Sequence, residues 1–396
     1  SLIIMIPIAF IFSNAISDIL LVIVSAVCTY LLFKSSSLKY YFYDNLFILL
    51  SIFTFYLLLT SFLNGGVSEY FFKSFFYLRF IVFAICVKYV ADNSKNFLRF
   101  FSISLTLVAF IFFIDISLIY FTSQNIFGDT KDTYLRISSF FNDELILGSY
   151  LSKIIPMILI TNYLLKKNSN LNLLIIFLSS LIVLMTGERV ASFNLILFNI
   201  LFLFCTYNFK KFTIFFITIL LVIIFSLFQS EKINQRFIQI TSDQINSTSF
   251  KFATFSPHHE KHYLTAIEIF KDHKIFGAGP YSFRHLCLDK NYSHGSLSCS
   301  THPHNNFIQL LSETGLLGFF FLFFVYIYLL FQFFRYFFEK KNYQNNLRLL
   351  SIGLILIILN PFLPSQNFFG QVPNILLYYL VFFYVYIKSM EILKSV

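Results

Sequence analysis

The chain alternates long apolar runs with short polar breaks. The runs lie at about 2–14, 19–33, 45–63, 71–91, 98–120, 145–164, 171–186, 189–207, 212–229, 316–334, 347–363 and 370–387. Most approach the roughly 20 residues that an α-helix needs to cross the hydrocarbon core. None shows the alternating pattern of a barrel strand, and in lipid only helices or closed barrels satisfy the backbone. The pattern predicts an all-α polytopic membrane protein with about twelve transmembrane helices. The first run is short, as expected if the chain lacks its natural start, and Ser13, Asn14, Ser17 and Asp18 break it from the second. No small-residue cleavage site follows it, so no signal peptide is expected.

One long hydrophilic stretch interrupts the pattern. The expected organisation is transmembrane helices with short loops over 1–229, one large loop over 230–315, and the last three helices over 316–396. The loop is too small to bury much core alone, so it should pack on the membrane part. Helical patterns appear near 230–242 and 257–273. The second places Tyr263, Ala266, Ile267 and Phe270 on one face. Gly277-Ala278-Gly279-Pro280 then breaks the chain. No internal repeat stands out.

Composition supports the membrane assignment. The chain is 57% hydrophobic and 12% charged, against about 25% charged residues in soluble domains. The net charge of +10 reads as topology. It forms no basic cluster longer than two residues, so nucleic acid is not an expected partner. With both termini in the cytoplasm, the inside loops hold fifteen Lys and Arg: Lys34, Lys39, Lys88, Lys95, Arg99, Lys166, Lys167, Lys210, Lys211, Arg335, Lys340, Lys341, Arg348, Lys388 and Lys394. The short outside loops and their edges hold four: Lys73, Lys131, Arg136 and Arg189. That bias puts 230–315 outside the cytoplasmic membrane, since long loops translocate largely regardless of charge.

All eight histidines fall between His258 and His304. The densest chemistry is Cys299-Ser300-Thr301-His302-Pro303-His304-Asn305-Asn306, which leads through Glu313-Thr314-Gly315-Leu316-Leu317-Gly318 into an apolar run. Pro303 suits a first helical position, which would put His304 and Asn305 in a first turn with free N–H groups. Such a terminus attracts anions and keeps imidazole neutral. Neutral imidazole can accept a hydroxyl proton; the plainer alternative is a histidine capping a helix. His258, His259, His262 and His302 have no role assigned by local sequence.

Cys28, Cys86 and Cys205 lie in apolar runs and read as small buried hydrophobes. Cys287 and Cys299, in the outside loop, read as a disulfide tethering the segment before His302. The rival is a zinc site with His285, His294 or His302, but the spacing lacks the close ligand pairs of zinc modules. Arg79 lies inside an apolar run and should meet a cavity or partner, or snorkel to an interface. Arg189, in the tight turn Thr186-Gly187-Glu188-Arg189, could pair with Glu188 or hold a phosphate bidentately. Arg136 is a second candidate of that kind, with Asp143 as an alternative partner.

These residues resemble a known family. His304-Asn305, nine residues, then Gly315-Leu316-Leu317-Gly318 fit the H-[NSQ]-x9-G-x-x-[GTY] pattern of bacterial O-antigen ligases. The layout, with one large loop before the last three spans, is similar to the wider O-antigen ligase and polymerase superfamily. Arg189 looks like that family's arginine in a short periplasmic turn, and Gly277-Ala278-Gly279-Pro280 with Phe283 looks like its G-x-G segment. One position departs: many relatives carry an arginine about twenty residues before the G-x-G, where this chain reads Ser256-Pro257-His258-His259. The resemblance leaves His259, Arg236 or Arg284 to supply that contact.

The resemblance implies a metal-independent glycosyltransferase of the inner membrane, without cofactor, acting at the periplasmic face. Its donor would be a glycan on undecaprenyl pyrophosphate. Its acceptor would be a sugar hydroxyl, of lipid A-core for a ligase or of a lipid-linked repeat unit for an O-antigen or exopolysaccharide polymerase. His304 would be the base, Arg189 would stabilise the pyrophosphate, and Arg136, Arg79, Arg284, His259 and Asn305 would bind substrate. A second class, a transporter or flippase for lipid-linked sugar, should carry polar residues and helix breaks at mid-span; this chain gathers its polar chemistry in one loop instead. A zinc-dependent membrane enzyme is a third.

Overall fold

The computed structural model of the protein describes residues 2–35, 38–66, 69–129, 135–141, 144–248 and 256–395. Among the described residues every element is helical and no strand occurs. Eight helices are long and apolar enough to cross a membrane: Asn14–Lys34, Asn45–Gly65, Glu69–Asn93, Phe97–Thr122, Arg189–Thr206, Phe209–Gln229, Asn306–Phe338 and Gln371–Met390. The other apolar runs form Leu2–Phe12, Leu147–Leu164, Ser169–Met185 and Tyr343–Ile358. The protein is thus an all-helical, multi-pass membrane protein, with eight helices meeting the length and composition of a span.

Two runs end differently from the apolar pattern. The 71–91 run is divided at Tyr77 into Glu69–Phe76 and Leu78–Asn93. The 347–363 run stops being helical at Ile358. Phe362 and Leu363 extend the apolar pattern there, but Pro361 and Pro364 cannot continue a helix. Residues 359–370 form a polar connection instead.

Leu147–Leu164 is buried along nearly its whole length. It packs against Phe97–Thr122 and Arg189–Thr206, and the latter packs in turn against Tyr343–Ile358. Phe209–Gln229 is the opposite case. It is apolar over most of its length, with Ile219 and Ser226 its buried residues, so much of its surface is left to face lipid.

The hydrophilic segment folds onto one end of this bundle. It is helical over Glu231–Asn246, with a π-helical turn at Gln235–Gln239, and again over Pro257–Asp272. Ser256 caps the latter by accepting from the His259 N–H, and Pro257 fills its first position. Its buried face runs through Glu260, His262, Tyr263, Thr265, Ala266 and Ile269, while Ile267 is exposed. The face is rotated from the apolar pattern because the histidines, not Ile267, turn inward. Pro257–Asp272 packs on Asn306–Phe338, and Ala266, Ile269, Phe283 and Cys287 form a small core with Ile308 against it.

Gly315 makes this docking possible. Its φ of 66° and ψ of −166° kink the Asn306–Phe338 helix, and a Cβ there would sit 2.2 Å from the Ile275 carbonyl oxygen. The kink lets the 274–279 segment lie alongside. Ala278 N–H donates to Ser312 O at 3.0 Å, Gly279 N–H to Glu313 O at 2.9 Å, and Leu316 N–H to Lys274 O at 2.9 Å.

Candidate active site

The Asn306–Phe338 helix begins three residues later than Pro303 suggests. Its N-cap is Asn305, whose side-chain oxygen accepts from Phe307 N at 3.0 Å and Ile308 N at 3.1 Å. The Asn305 amide nitrogen donates to Pro361 O at 2.8 Å. Asparagine is a strong cap, which explains the later start. Both ends of the Asn305 amide are therefore engaged within the protein. His304 precedes the helix with a φ of 59°, a left-handed conformation uncommon outside glycine.

The surroundings hold His304 in that position. Its carbonyl accepts the Ser365 N–H at 2.8 Å, and its Nε2 lies 3.1 Å from Ser300 Oγ. Its ring centroid is 4.1 Å from that of His302, 5.3 Å from His262 and 5.5 Å from His259. Burial, and then the nearby His258, push the His304 pKa down to about 4. Burial is also the first cause for His259, down to about 3, and His262, down to about 4. His259, His262 and His304 are therefore neutral at pH 7, with desolvation the first cause for each. Cys287 and Cys299 are joined in a disulfide with Cα atoms 5.0 Å apart, anchoring the chain just before Ser300.

An arginine cluster forms around the 186–189 turn. Gly187 has φ 71°, and a Cβ there would lie 1.9 Å from Leu135 O. Glycine thus lets residues 135–137 lie across the turn, with Ile137 N–H donating to Thr186 O at 3.1 Å, and this brings Arg136 beside it. Arg189 donates to Thr241 Oγ1 at 2.8 Å and Gln244 Oε1 at 2.7 Å. It does not pair with Glu188. That carboxylate turns inward to Gly148 N at 2.7 Å, Ser149 N at 3.1 Å and Ser149 Oγ at 3.0 Å. Burial raises the Glu188 pKa, with Arg136 opposing the rise.

Arg136 donates to Leu145 O at 2.8 Å, and its Nε is buried without a partner. Asp143, its other possible partner, lies outside the described residues. Arg236 donates through Nε to Gly187 O at 3.0 Å. Its pKa is pushed down to about 10 by burial, then by repulsion from Arg189 and Arg136.

Both clusters line one open cleft of about 660 Å³. Arg136, Arg189, Arg236 and Glu188 line it together with His259, His302, His304 and the 364–367 segment. Among the described residues, no three His, Cys, Asp or Glu side chains converge as metal ligands would.

Residues 174–324 match the family model described as O-antigen ligase. Over that stretch the chain is similar to the O-antigen ligase family. The matched stretch includes Arg189, Arg236, the histidine cluster, and the Gly315 kink. Comparison with curated proteins finds no match. The O-antigen ligase match supports a membrane glycosyltransferase of the O-antigen ligase/polymerase type.

The structure sorts the site residues named from sequence. His304, Arg189, Arg136 and His259 come together in the cleft, and Arg236 joins them. Arg284 does not line the cleft; its guanidinium lies over the Tyr281 ring at 5.8 Å. Arg79 is also elsewhere. It pairs with Asp18 at 2.9 Å and lies over the Phe80 ring at 4.7 Å, so an intramembrane charge has found a partner.

The 364–367 segment, absent from the candidates named above, also lines the cleft. Ser365 N–H holds the His304 carbonyl, Ser365 O lies 3.3 Å from His302 Nε2, and Gln366 accepts from Lys153 Nζ at 2.6 Å. The signal was present: Asn360-Pro361 and Pro364-Ser365-Gln366-Asn367 interrupt otherwise apolar sequence.

Proposed function

We propose that the protein transfers a glycan from undecaprenyl pyrophosphate to an acceptor sugar hydroxyl, with lipid A-core as the acceptor. The observation that carries this is the shared cleft: a neutral histidine and three arginines line one open space. The acceptor oxygen attacks the anomeric carbon while the bond from that carbon to the pyrophosphate oxygen breaks. The hydroxyl proton passes to the His304 imidazole. Undecaprenyl pyrophosphate leaves with the bonding electrons, and Arg189, Arg236 and Arg136 stabilise the charge that grows on it. An imidazole with pKa near 4 is a weak base but is fully neutral at pH 7. As the proton arrives, the departing anion offsets the cost of a buried imidazolium.

The cleft lies on the periplasmic side in this reading, with both termini cytoplasmic and about twelve helices in the membrane. The lysine and arginine distribution supports that orientation, and a periplasmic site suits the Cys287–Cys299 disulfide. The same chemistry serves a polymerase whose acceptor is a second lipid-linked repeat unit. The test is a His304→Ala variant in cells lacking the native gene, with surface glycan resolved on a gel. Loss of full-length glycan is expected, and retained full-length glycan would remove His304 from catalysis. Free undecaprenyl-linked polymer would mark a lost ligase; a single repeat on the core would mark a lost polymerase.

A further inference from the structure

Glu313 and Gln309 lie one turn apart on the helix that follows His304, and both are fully buried. Neither lines the cleft. Glu313 Oε1 accepts the Phe283 N–H at 2.9 Å. Glu313 Oε2 accepts from Gln309 Nε2 at 3.0 Å, and the same Nε2 donates to Asn367 Oδ1 at 2.8 Å. Gln309 Oε1 accepts the Phe368 N–H at 2.9 Å. This chain of bonds ties the segment after Gly279 to the 365–369 connection.

That connection in turn fixes the histidines. Ser365 N–H holds the His304 carbonyl at 2.8 Å, Ser365 O meets His302 Nε2 at 3.3 Å, and Ser365 Oγ donates to Asn306 Oδ1 at 2.9 Å. A buried carboxyl is costly to keep unless it is fully hydrogen-bonded. Here it spends that cost on two segments that would otherwise be independent loops. His304 sits in a left-handed conformation that its neighbours must enforce.

We infer that Glu313 is a positioning residue: through Gln309 and Asn367 it locks the 365–369 connection, and through Ser365 it sets the place of the His304 imidazole. The inference rests on the catalytic reading of His304 given above. Glutamine cannot replace this glutamate without conflict. With its oxygen on Phe283 N–H, its NH₂ group faces the Gln309 donor; flipped, its NH₂ group faces Phe283 N–H instead.

The experiment uses full-length protein in detergent or lipid, with lipid-linked donor and purified acceptor. It compares wild type, Glu313→Gln, Asn367→Ala and the double variant. Each single variant is expected to lower kcat by about 10- to 100-fold, as for a misplaced catalytic group, with the donor KM little changed. The double variant should be no worse than the worse single one, because both break the same link.

Hydrogen exchange supplies a readout independent of turnover: amides 365–369 should exchange faster in Glu313→Gln. Wild-type kcat in Glu313→Gln, multiplying losses in the double variant, or unchanged exchange would each overturn the inference. If wild type transfers no glycan, the catalytic reading fails, and exchange alone decides whether the link exists. If Glu313→Gln does not fold, Asn367→Ala carries the test, with unchanged kcat or exchange overturning it.

Discussion

The histidine cluster and the arginine cluster share a cleft but are held in opposite ways. His304 is neutral, packed among other imidazoles, and tied at its carbonyl and ring to Ser365 and Ser300. Arg189 is charged, yet its guanidinium rests on the neutral acceptors Thr241 and Gln244. Arg236 rests on a backbone carbonyl, and Arg136 keeps a buried Nε without a partner. The Glu188 carboxylate, which also lines the cleft, is hydrogen-bonded to Gly148 and Ser149. The histidines meet the cleft as neutral groups, with the His259 and His262 Nδ1 atoms buried without a partner, whereas the guanidiniums bring positive charge to it. An anion entering the cleft would pair with the second and leave the first free to handle a proton. Proximity also helps the histidines, since Arg189 adds to the forces holding His259 neutral.

The sharpest way to break the comparison is to delete one member from each cluster. His304→Ala should lower turnover by about 10²- to 10⁴-fold, the range for a lost general base, with donor affinity preserved. Arg189→Ala or Arg236→Ala removes charge-assisted hydrogen bonds worth about 1.5–3 kcal/mol each, or about 10- to 100-fold in kcat/KM. Arg189→Lys should not restore the loss, because ammonium cannot reproduce the two-pronged contact. Steady-state kinetics on the purified protein reads all three.

The pH dependence separates the clusters next. His304 titrates near 4 in the folded protein, so the base stays available as pH falls from 8 to 6. Turnover should hold flat there and fall about tenfold per pH unit below 4. Stability responds earlier. His259, His262 and His304 have folded pKa values near 3, 4 and 4, below the unfolded value of about 6.5. Between those limits the unfolded chain binds more protons, so folding weakens as pH drops through about 6.5 towards 4, by up to about 1.4 kcal/mol per unit for each histidine. Thermal melts across that window check the sign. The smallest expected effect is Asn305→Ala, which removes the N-cap and should cost about 1 kcal/mol, read as a lower melting temperature.

Much of the fold was legible because lipid imposes a simple rule on sequence. Apolar runs became helices, and the hydrophilic 230–315 stretch gathered the histidines at one end of the bundle. The failures have specific causes. Hydropathy carried the 347–363 run past Ile358, although Pro361 and Pro364 forbid helix there. Apolar spacing placed Ile267 inward, but His262 and Glu260 took the buried face through contacts distant in sequence. Pro303 looked like a helix start until Asn305 proved the better cap. The site itself was half legible. Arg189 and His304 were visible as misfits in their local sequence, and Arg236 was one of three stand-ins left open by the family resemblance, whereas Ser365 looks ordinary and gains meaning only when the chain folds back on itself.

The central claim is that the two clusters act on one lipid-linked pyrophosphate and divide the work. Equilibrium binding of undecaprenyl pyrophosphate to purified wild type, His304→Ala and an Arg189→Ala/Arg236→Ala double variant tests it most directly. Near wild-type affinity is expected for His304→Ala despite lost turnover, and affinity weakened by about 10-fold or more for the arginine variant. Wild-type affinity in the arginine variant, or an equal loss in both, would contradict it.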